Sequence, residues 1–452
     1  LALKPDYLEA WINKGNTLRR TGRWVQALAH SELALRQHPA EPRLLLGQGL
    51  ALQALSRLEE SASVLRQAVA LDPQQTEAHY ALGAVLEEAG QPRQALDEAA
   101  FDGREIALTH ASRQSMEQLG LWQRLPGAEI SDLRDARVMN GGSPFALTFA
   151  SRQADGQPLG WLVPNHLIRR AAWDAVQGQD GLELFDGRKV LGVQADAQGH
   201  VVKLDDGSQL HARLLVAADS RFSATRRMLG IGAQMRDFGK SMLVCRMQVE
   251  RDHHHTAWEW FGYGRTMALL PLNDGQASAV ITLPPRQIEG LLAMDEVAFG
   301  EAITGFFEHR LGRMQPVATP LAYPLVGVYA HRFAGERSAL IGDAAVGMHP
   351  VTAHGFNFGL GGVGRLADAL DGHASITAAL NAYEAARLPM TRDIVTMNRR
   401  EGLDAILDMV EEAAPEGFAR IEDVTDPTVL AEWVQAYKKA AGHQVGRPQA
   451  AH

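Results

Sequence analysis

Small and apolar residues in the first hundred positions return with a period of 34. Pro5, Pro39 and Pro73 keep it, as do Gly15, Gly49 and Gly83, Ala34 and Ala68, and Ala27, Ser61 and Ala95; Trp11, Leu45 and His79 share a further register. Small residues at fixed places let paired helices approach closely, and the proline ends the second helix of each pair. The period therefore predicts stacked helix-turn-helix units, against the alternative of an unrelated helical hairpin bundle. Leu1 to Pro5 reads as the tail of a preceding unit, and the third unit starts at Thr76 but loses the pattern after Ala95. The array is expected to be cut at both ends. Beyond it the pattern changes to short apolar runs that end in turns. The run from Gly160 to Asn165 predicts a strand entering a helix from Leu167 to Val176, and Leu214 to Ala218 reads as a buried strand ending at Asp219. Leu340-Ile341 ends in Gly342-Asp343, after which a glycine-rich turn with His349-Pro350 leads into a helix. Such a strand places a carboxylate at the carboxyl edge of a parallel sheet, where ligands of α/β folds bind.

Composition narrows the picture. The 452 residues, 46% hydrophobic and 21% charged, allow two or three globular domains. A net charge of -9 argues against a nucleic-acid partner, which needs clustered positive charge. One cysteine, Cys245, excludes an internal disulfide and fits a reducing compartment. No window is long and apolar enough to span a bilayer, and the start has no signal-peptide core. The expected location is cytoplasmic. His253-His254-His255 does not read as a metal site, since three consecutive strand side chains cannot converge on one ion.

The 34-residue unit resembles the tetratricopeptide repeat, which implies a groove for a protein partner. From Phe101 to about Leu407 the chain resembles the FAD-dependent aromatic hydroxylases, most closely those of ubiquinone biosynthesis. Gly342, Asp343, Ala344, Ala345, His349, Pro350, Gly355, Asn357 and Gly359 match that family's second flavin motif. The resemblance implies that Asp343 binds the ribityl chain, that Pro350 lies near the reacting edge of the isoalloxazine, and that amides from Gly355 to Asn357 stabilise charge on the reduced ring. Asp102 to Leu108, followed by Ser112 to Leu121, resembles the family's entry into its second helix, so Arg104 becomes the candidate for the phosphate region. Asn165 stands where a polar side chain faces the flavin, although an ordinary helix cap explains it equally well. Asp219 takes the place of the acid in a Gly-Ala-Asp-Gly motif that serves flavin and nicotinamide, with Ala217 and Ser220 replacing its glycines. Trp258, Glu259, Phe261 and Leu269 to Leu272 resemble the strands of the substrate domain.

Gly359-Leu-Gly361-Gly-Val-Gly364 has the spacing of a dinucleotide fingerprint but lies beyond its strand, so it is rejected as a nucleotide site. Family members begin with a strand, a true phosphate-binding turn, a helix and an acid-terminated strand. Repeats occupy that place here, and Asp97 and Glu98 on a helix pattern are no substitute for the acid. The expected fold is an α-helical repeat region (1–98) followed by an α/β (α+β) flavin monooxygenase fold lacking its N-terminal Rossmann βαβ (99–407), with a helical C-terminal extension (408–452). The resemblance implies FAD as cofactor, NAD(P)H as reductant, and a polyprenyl phenol or quinone precursor as substrate, with peripheral membrane association. It assigns no side chain as acid, base or nucleophile. The alternative is a repeat scaffold carrying a degenerate, non-catalytic flavoprotein remnant. On either reading FAD affinity is expected to be weakened.

Overall fold

A computed structural model describes residues 7–72, 75–88, 101–141, 146–150, 157–262, 264–348 and 354–386. The expected C-terminal extension, 408–452, lies outside the described residues. The chain divides into two compact units. The first comprises residues 1–104, 164–188 and 317–321, and the second comprises the remainder.

Helices Leu8–Arg20, Trp24–Gln37, Pro42–Ala54, Leu58–Leu71 and Thr76–Glu88 run through the first unit. The 34-residue period has a direct physical cause. Ala27, Ala34, Ser61 and Ala68 are all 0% exposed, so the repeated small residues are those that the helices close upon. At Gly49 a Cβ would stand 2.5 Å from Cγ of the fully buried Leu65. Ser61 Oγ then reaches across to donate to the Gly49 carbonyl at 2.7 Å. Every described element before Glu105 is a helix, so the first βαβ of a Rossmann domain is absent from the described residues.

The second unit is built on a sheet in which the strands Leu321–Ala330, Ala233–Val249, Gln276–Leu283, Arg265–Pro271, Thr256–Gly262, Asp135–Asn140 and Ala146–Ala150 lie side by side in that order. Alternation along these strands separates two faces. Leu243, Cys245, Met247, Ile281, Leu269, Met267 and Trp260 point one way and pack on Ile288, Leu291, Phe299 and Ile303. Those four come from helices Pro285–Leu292 and Glu296–Phe306. A small sheet, ordered Glu105–Leu108, Gly160–Pro164, Ser131–Leu133, meets the opposite face, where Leu270 and Leu272 pack with Ala107 and Leu162. Glu105–Leu108 is thus a strand, where the resemblance placed the run-up to a helix; the helix is His110–Gln118, capped by Thr109.

The element that matters most for a ligand is the smallest. Strands Leu215–Ala217 and Ser338–Leu340 pair in parallel, Leu340 opposite Ala217. Beyond Ser338–Leu340 lies the short antiparallel Ala334–Gly335. Beyond Leu215–Ala217 there is no strand among the described residues, and Val216 is 37% exposed on that edge.

Candidate functional site

Two acids follow the paired parallel strands at the same edge, Asp219 after Leu215–Ala217 and Asp343 after Ser338–Leu340. The placement follows from register, since the Ile341 amide still bonds to the Ala217 carbonyl at 3.0 Å. Gly342 then turns the chain out of the sheet at φ 54, a left-handed conformation that suits glycine. Asp343 sits in the resulting 3-10 turn, half-exposed, with Oδ2 3.3 Å from Arg221 Nη2. Arg221 also donates through Nη1 to the Val326 carbonyl at 3.3 Å, so its fork is fixed before any ligand arrives.

Asp219 has a different task. It accepts from Ser223 Oγ and, at 2.9 Å, from the Thr225 amide, closing the start of helix Ala224–Met228. Burial alone would raise its pKa, but hydrogen bonds from Ser223, from Thr225 and from its own backbone amide together outweigh it and lower the carboxyl from its ordinary value. The residue after it, Ser220, stands at φ 71 where the family motif has glycine. The turn is kept although the side chain is wrong for it.

Sequence reasoning passed over Arg226. It is 2% exposed, and its Nη1 donates to the Ala344 carbonyl at 2.8 Å while both Nη atoms reach the Arg221 carbonyl at 3.2 Å. One guanidinium thereby ties the Asp219 turn to the Asp343 turn. Tyr383 and Glu384 were equally silent. Tyr383 donates to the Leu340 carbonyl at 3.0 Å, and Glu384 Oε2 accepts from the Phe333 and Ala334 amides at 2.7 Å. The adjacent Arg226 and Arg227 after an acid-ended strand were the available signal for the first, although only Arg226 is buried; nothing local marked the others.

Gly355 and Asn357 fall in the first turn of helix His354–Gly372, as described, where amides lack intrahelical acceptors. The Asn357 side chain imitates a strand. Its Oδ1 accepts from the Thr109 amide at 3.1 Å and its Nδ2 donates to the Ala107 carbonyl at 2.7 Å. Pro350 lies outside the described residues. The glycine-spaced segment Gly359 to Gly364 is inside that helix, a geometry that forms no phosphate turn.

Arg104 and Asn165 belong to the first unit, where they share one partner. Arg104 Nη2 pairs with Asp102 Oδ2 at 2.6 Å, and Asn165 Nδ2 donates to the same oxygen at 2.6 Å. The helix-cap explanation of Asn165 is corrected by this: Pro164 takes the cap position, and the Asn165 side chain turns to Asp102. His253 to His255 form a turn rather than a strand, with His254 and His255 both at φ 53. His253 is buried, its Nε2 bonded to the Leu272 and Gln276 carbonyls at 3.1 and 2.9 Å.

The donor set can be tested against a flavin. Asp343, a fixed carboxylate, suits a polyol chain, and the first turn of helix His354–Gly372, whose amides lack intrahelical acceptors, suits an electron-poor ring. The riboflavin half fits. No strand-turn-helix cradle for a pyrophosphate occurs among the described residues.

A model of the FAD binding domain matches residues 95–398. The chain belongs to that family. A TPR-repeat model matches residues 49–90, ahead of it. This family member is 48% identical over 273 residues to ubiquinone hydroxylase UbiM of Neisseria meningitidis, spanning 60% of this chain and 59% of that one. It is 35% identical over 306 residues to ubiquinone hydroxylase UbiL of Rhodospirillum rubrum, spanning 66% of this chain and 71% of the other. The chain thus spans less than two thirds of the meningococcal protein. Among solved structures, PqsL of Pseudomonas aeruginosa aligns with a TM-score of 0.57 at 22% identity, over 74% of this chain and 90% of that one. HpxO of Klebsiella pneumoniae, complexed with FAD and uric acid, aligns at 0.56 and 21% identity, over 74% and 87%. The fold is therefore that of the FAD-dependent monooxygenases, preceded by helical repeats, and the family is one of flavoenzymes. Among the described residues no helix is long and apolar enough to cross a membrane.

Proposed function

We propose that this chain hydroxylates the aromatic ring of a polyprenyl phenol or quinone precursor in ubiquinone biosynthesis, with FAD as cofactor and NAD(P)H as reductant. The reading is carried by one observation: a built carboxyl-edge site, Asp343 held by Arg221 and locked by Arg226, in a chain 48% identical over 273 residues to a ubiquinone hydroxylase. When bound, FAD supplies the activation of oxygen and the transfer of a hydroxyl group. The protein's own residues bind and orient. Asp343 accepts from ribityl hydroxyls, and Arg221 keeps its carboxylate aimed. The amides of Gly355 to Asn357 face negative charge on the ring, and the Asn357 side chain fixes their direction by holding Ala107 and Thr109. Asp219 and Ser220 shape the neighbouring turn, which on this reading serves both the flavin and the entering nicotinamide. The repeats dock a protein partner, and the isoprenoid substrate brings the chain to a membrane periphery.

A second reading, a repeat scaffold with a non-catalytic remnant, is favoured by the edge of Leu215–Ala217, which pairs with no further strand among the described residues, where the family's first βαβ carries the phosphate cradle. The visible spectrum of the purified chain, before and after added FAD, separates the two. A bound flavin spectrum, with NAD(P)H consumption raised by a prenylated phenol, supports the enzyme. A colourless folded protein that ignores FAD sinks it and leaves the repeats as the functional part.

A further inference from the structure

Glu259 stands in the middle of the large sheet, on strand Thr256–Gly262. Its neighbours along the strand, Trp258 and Trp260, belong to the helix-covered core, so alternation turns Glu259 to the other face. Register names its surroundings there. Ala268 lies opposite on one side and Val138 on the other, and the row continues through Val280 and Val244 in one direction and Leu147 in the other. The row is apolar except for this carboxylate. Among the described residues Glu259 makes no hydrogen bond or ion pair.

That face is the one turned toward the flavin loop. Leu270 follows Ala268 by two residues, roughly 7 Å along the strand, and packs on Ala107, whose carbonyl accepts from Asn357. The charged group next along the same face is Arg246, in the row of Ser278 and Leu270. It is already engaged, 2.8 Å from Glu105 and 3.5 Å from Glu129. Arg246 and Glu105, the titratable pair at this junction, thus answer each other and leave Glu259 alone. Val138, Ala268, Val280 and Glu259 are each half-buried, so the face is not sealed by protein.

An unpaired carboxylate in apolar surroundings contributes nothing to folding and costs desolvation, which pushes its pKa up to about 8. An apolar row with one carboxylate acceptor, flanked on the same face by Thr266, Thr282, Ser278 and the engaged Arg246, is complementary to an apolar ligand with one hydroxyl. We propose that Glu259 receives the ring hydroxyl of the phenolic substrate, first as hydrogen-bond acceptor and then as the base that takes its proton. The O–H bond of the phenol breaks and an O–H bond forms on the carboxylate. The electron pair left on the phenol oxygen delocalises to the ortho and para carbons, which makes the ring a better nucleophile. No oxidant or reductant enters this step. A carboxyl tuned toward neutrality suits such a base. The inference rests on the ring-hydroxylase reading and adds to it a group that touches substrate.

The test compares binding of a prenylated phenol and of its methyl ether to the full chain supplied with FAD, for the wild type, Glu259→Gln and Glu259→Asp. The wild type is expected to prefer the phenol by about tenfold, as a hydrogen bond to a charged acceptor does. That preference should grow as pH rises through about 8, where the carboxyl ionises. Glu259→Gln should lose most of the preference and its pH dependence, while Glu259→Asp keeps the pH dependence with a weaker preference. An unchanged preference and pH profile in Glu259→Gln overturns the inference and leaves the hydroxylase reading standing. A flavin spectrum altered by Glu259→Gln also overturns it, by moving the residue to the cofactor side. If the wild type binds neither compound, both the inference and the reading beneath it fall.

Discussion

The repeat helices and the parallel-strand site are both tightly held, by opposite kinds of chemistry. In the repeats the fully buried periodic positions are small: Ala27, Ala34, Ser61 and Ala68. Helices close on them, and stability is spread over many apolar contacts. At the site the gripping groups are polar, Arg226, Ser223 and the Asn357 amide, and each bonds a main-chain atom. Packing responds to a mutation by degrees, whereas a lost polar group leaves its partner unsatisfied. The site should therefore be the brittle region and the repeats the graded one.

Arg226→Ala is the strongest way to break that contrast. It strips the Ala344 and Arg221 carbonyls of their donors and empties a buried volume, for an expected loss of about 3 kcal/mol. A urea titration should show a lower midpoint with an unchanged slope, and the FAD-induced spectral change should weaken in parallel. A loss below about 1 kcal/mol would mean that the clamp does not hold the two turns. Glu259→Gln is next, and it sharpens the comparison because Glu259 is a desolvated polar group without a partner among the described residues. Its ordinary pKa of 4.5 is raised to about 8 in the folded chain. Below the ordinary value both states are protonated and nothing is lost. Between the two values the unfolded chain gives up its proton while the folded chain keeps it, so native stability falls as pH rises. Above about 8 the deficit is constant. The neutral variant should accordingly gain on the wild type from pH 5 to 8, by about 2 kcal/mol once partial access to water is allowed for. Thermal melts across that range check the sign.

Gly49→Ala probes the graded side. Its Cβ meets Leu65 Cγ at 2.5 Å, and Leu65 is fully buried, so the helix pair must part. Overpacking costs about 1–3 kcal/mol, and the better helix propensity of alanine returns up to about 1. A net loss near 1 kcal/mol in the melting of the repeats is expected.

How much of this was legible follows the same division. The repeats could be read because packing imposes a period, and Gly49, Ala34 and Ala68 repeat it in the chain. The two strand-terminal acids could be read because an apolar run ending in Asp has few other uses. Arg226 could not be singled out, since a buried arginine bonded to carbonyls looks in sequence like its solvated neighbour Arg227. Asn165 was visible as a polar residue, but its partner Asp102 is 63 positions away and only the fold joins them. Glu259 was hidden most completely. In Trp258-Glu259-Trp260 a charged residue between core residues reads as a solvated strand position. Only the strand pairing, with Ala268 and Val138 on either side, shows that its row across the sheet is apolar.

Ser220→Gly has the smallest expected effect and asks how much strain the turn at the site carries, the repeats having a counterpart in Ser56 at φ 58. Ser220 holds φ 71 at an exposed turn, and its carbonyl accepts from the Ser223 amide at 3.1 Å. A left-handed conformation costs a residue with a Cβ about 1–2 kcal/mol, and glycine avoids this at the expense of a more flexible unfolded chain. The balance predicts a gain of about 0.5–1 kcal/mol, read as a small rise in the urea midpoint. Among the described residues the side chain makes no bond that the substitution would remove, so a loss of stability could not be assigned to a lost contact. Such a loss would mean that the Asp219 turn relies on the serine's restriction of the unfolded chain. A gain accompanied by tighter FAD binding would show that the strain at this turn opposes the geometry the cofactor selects.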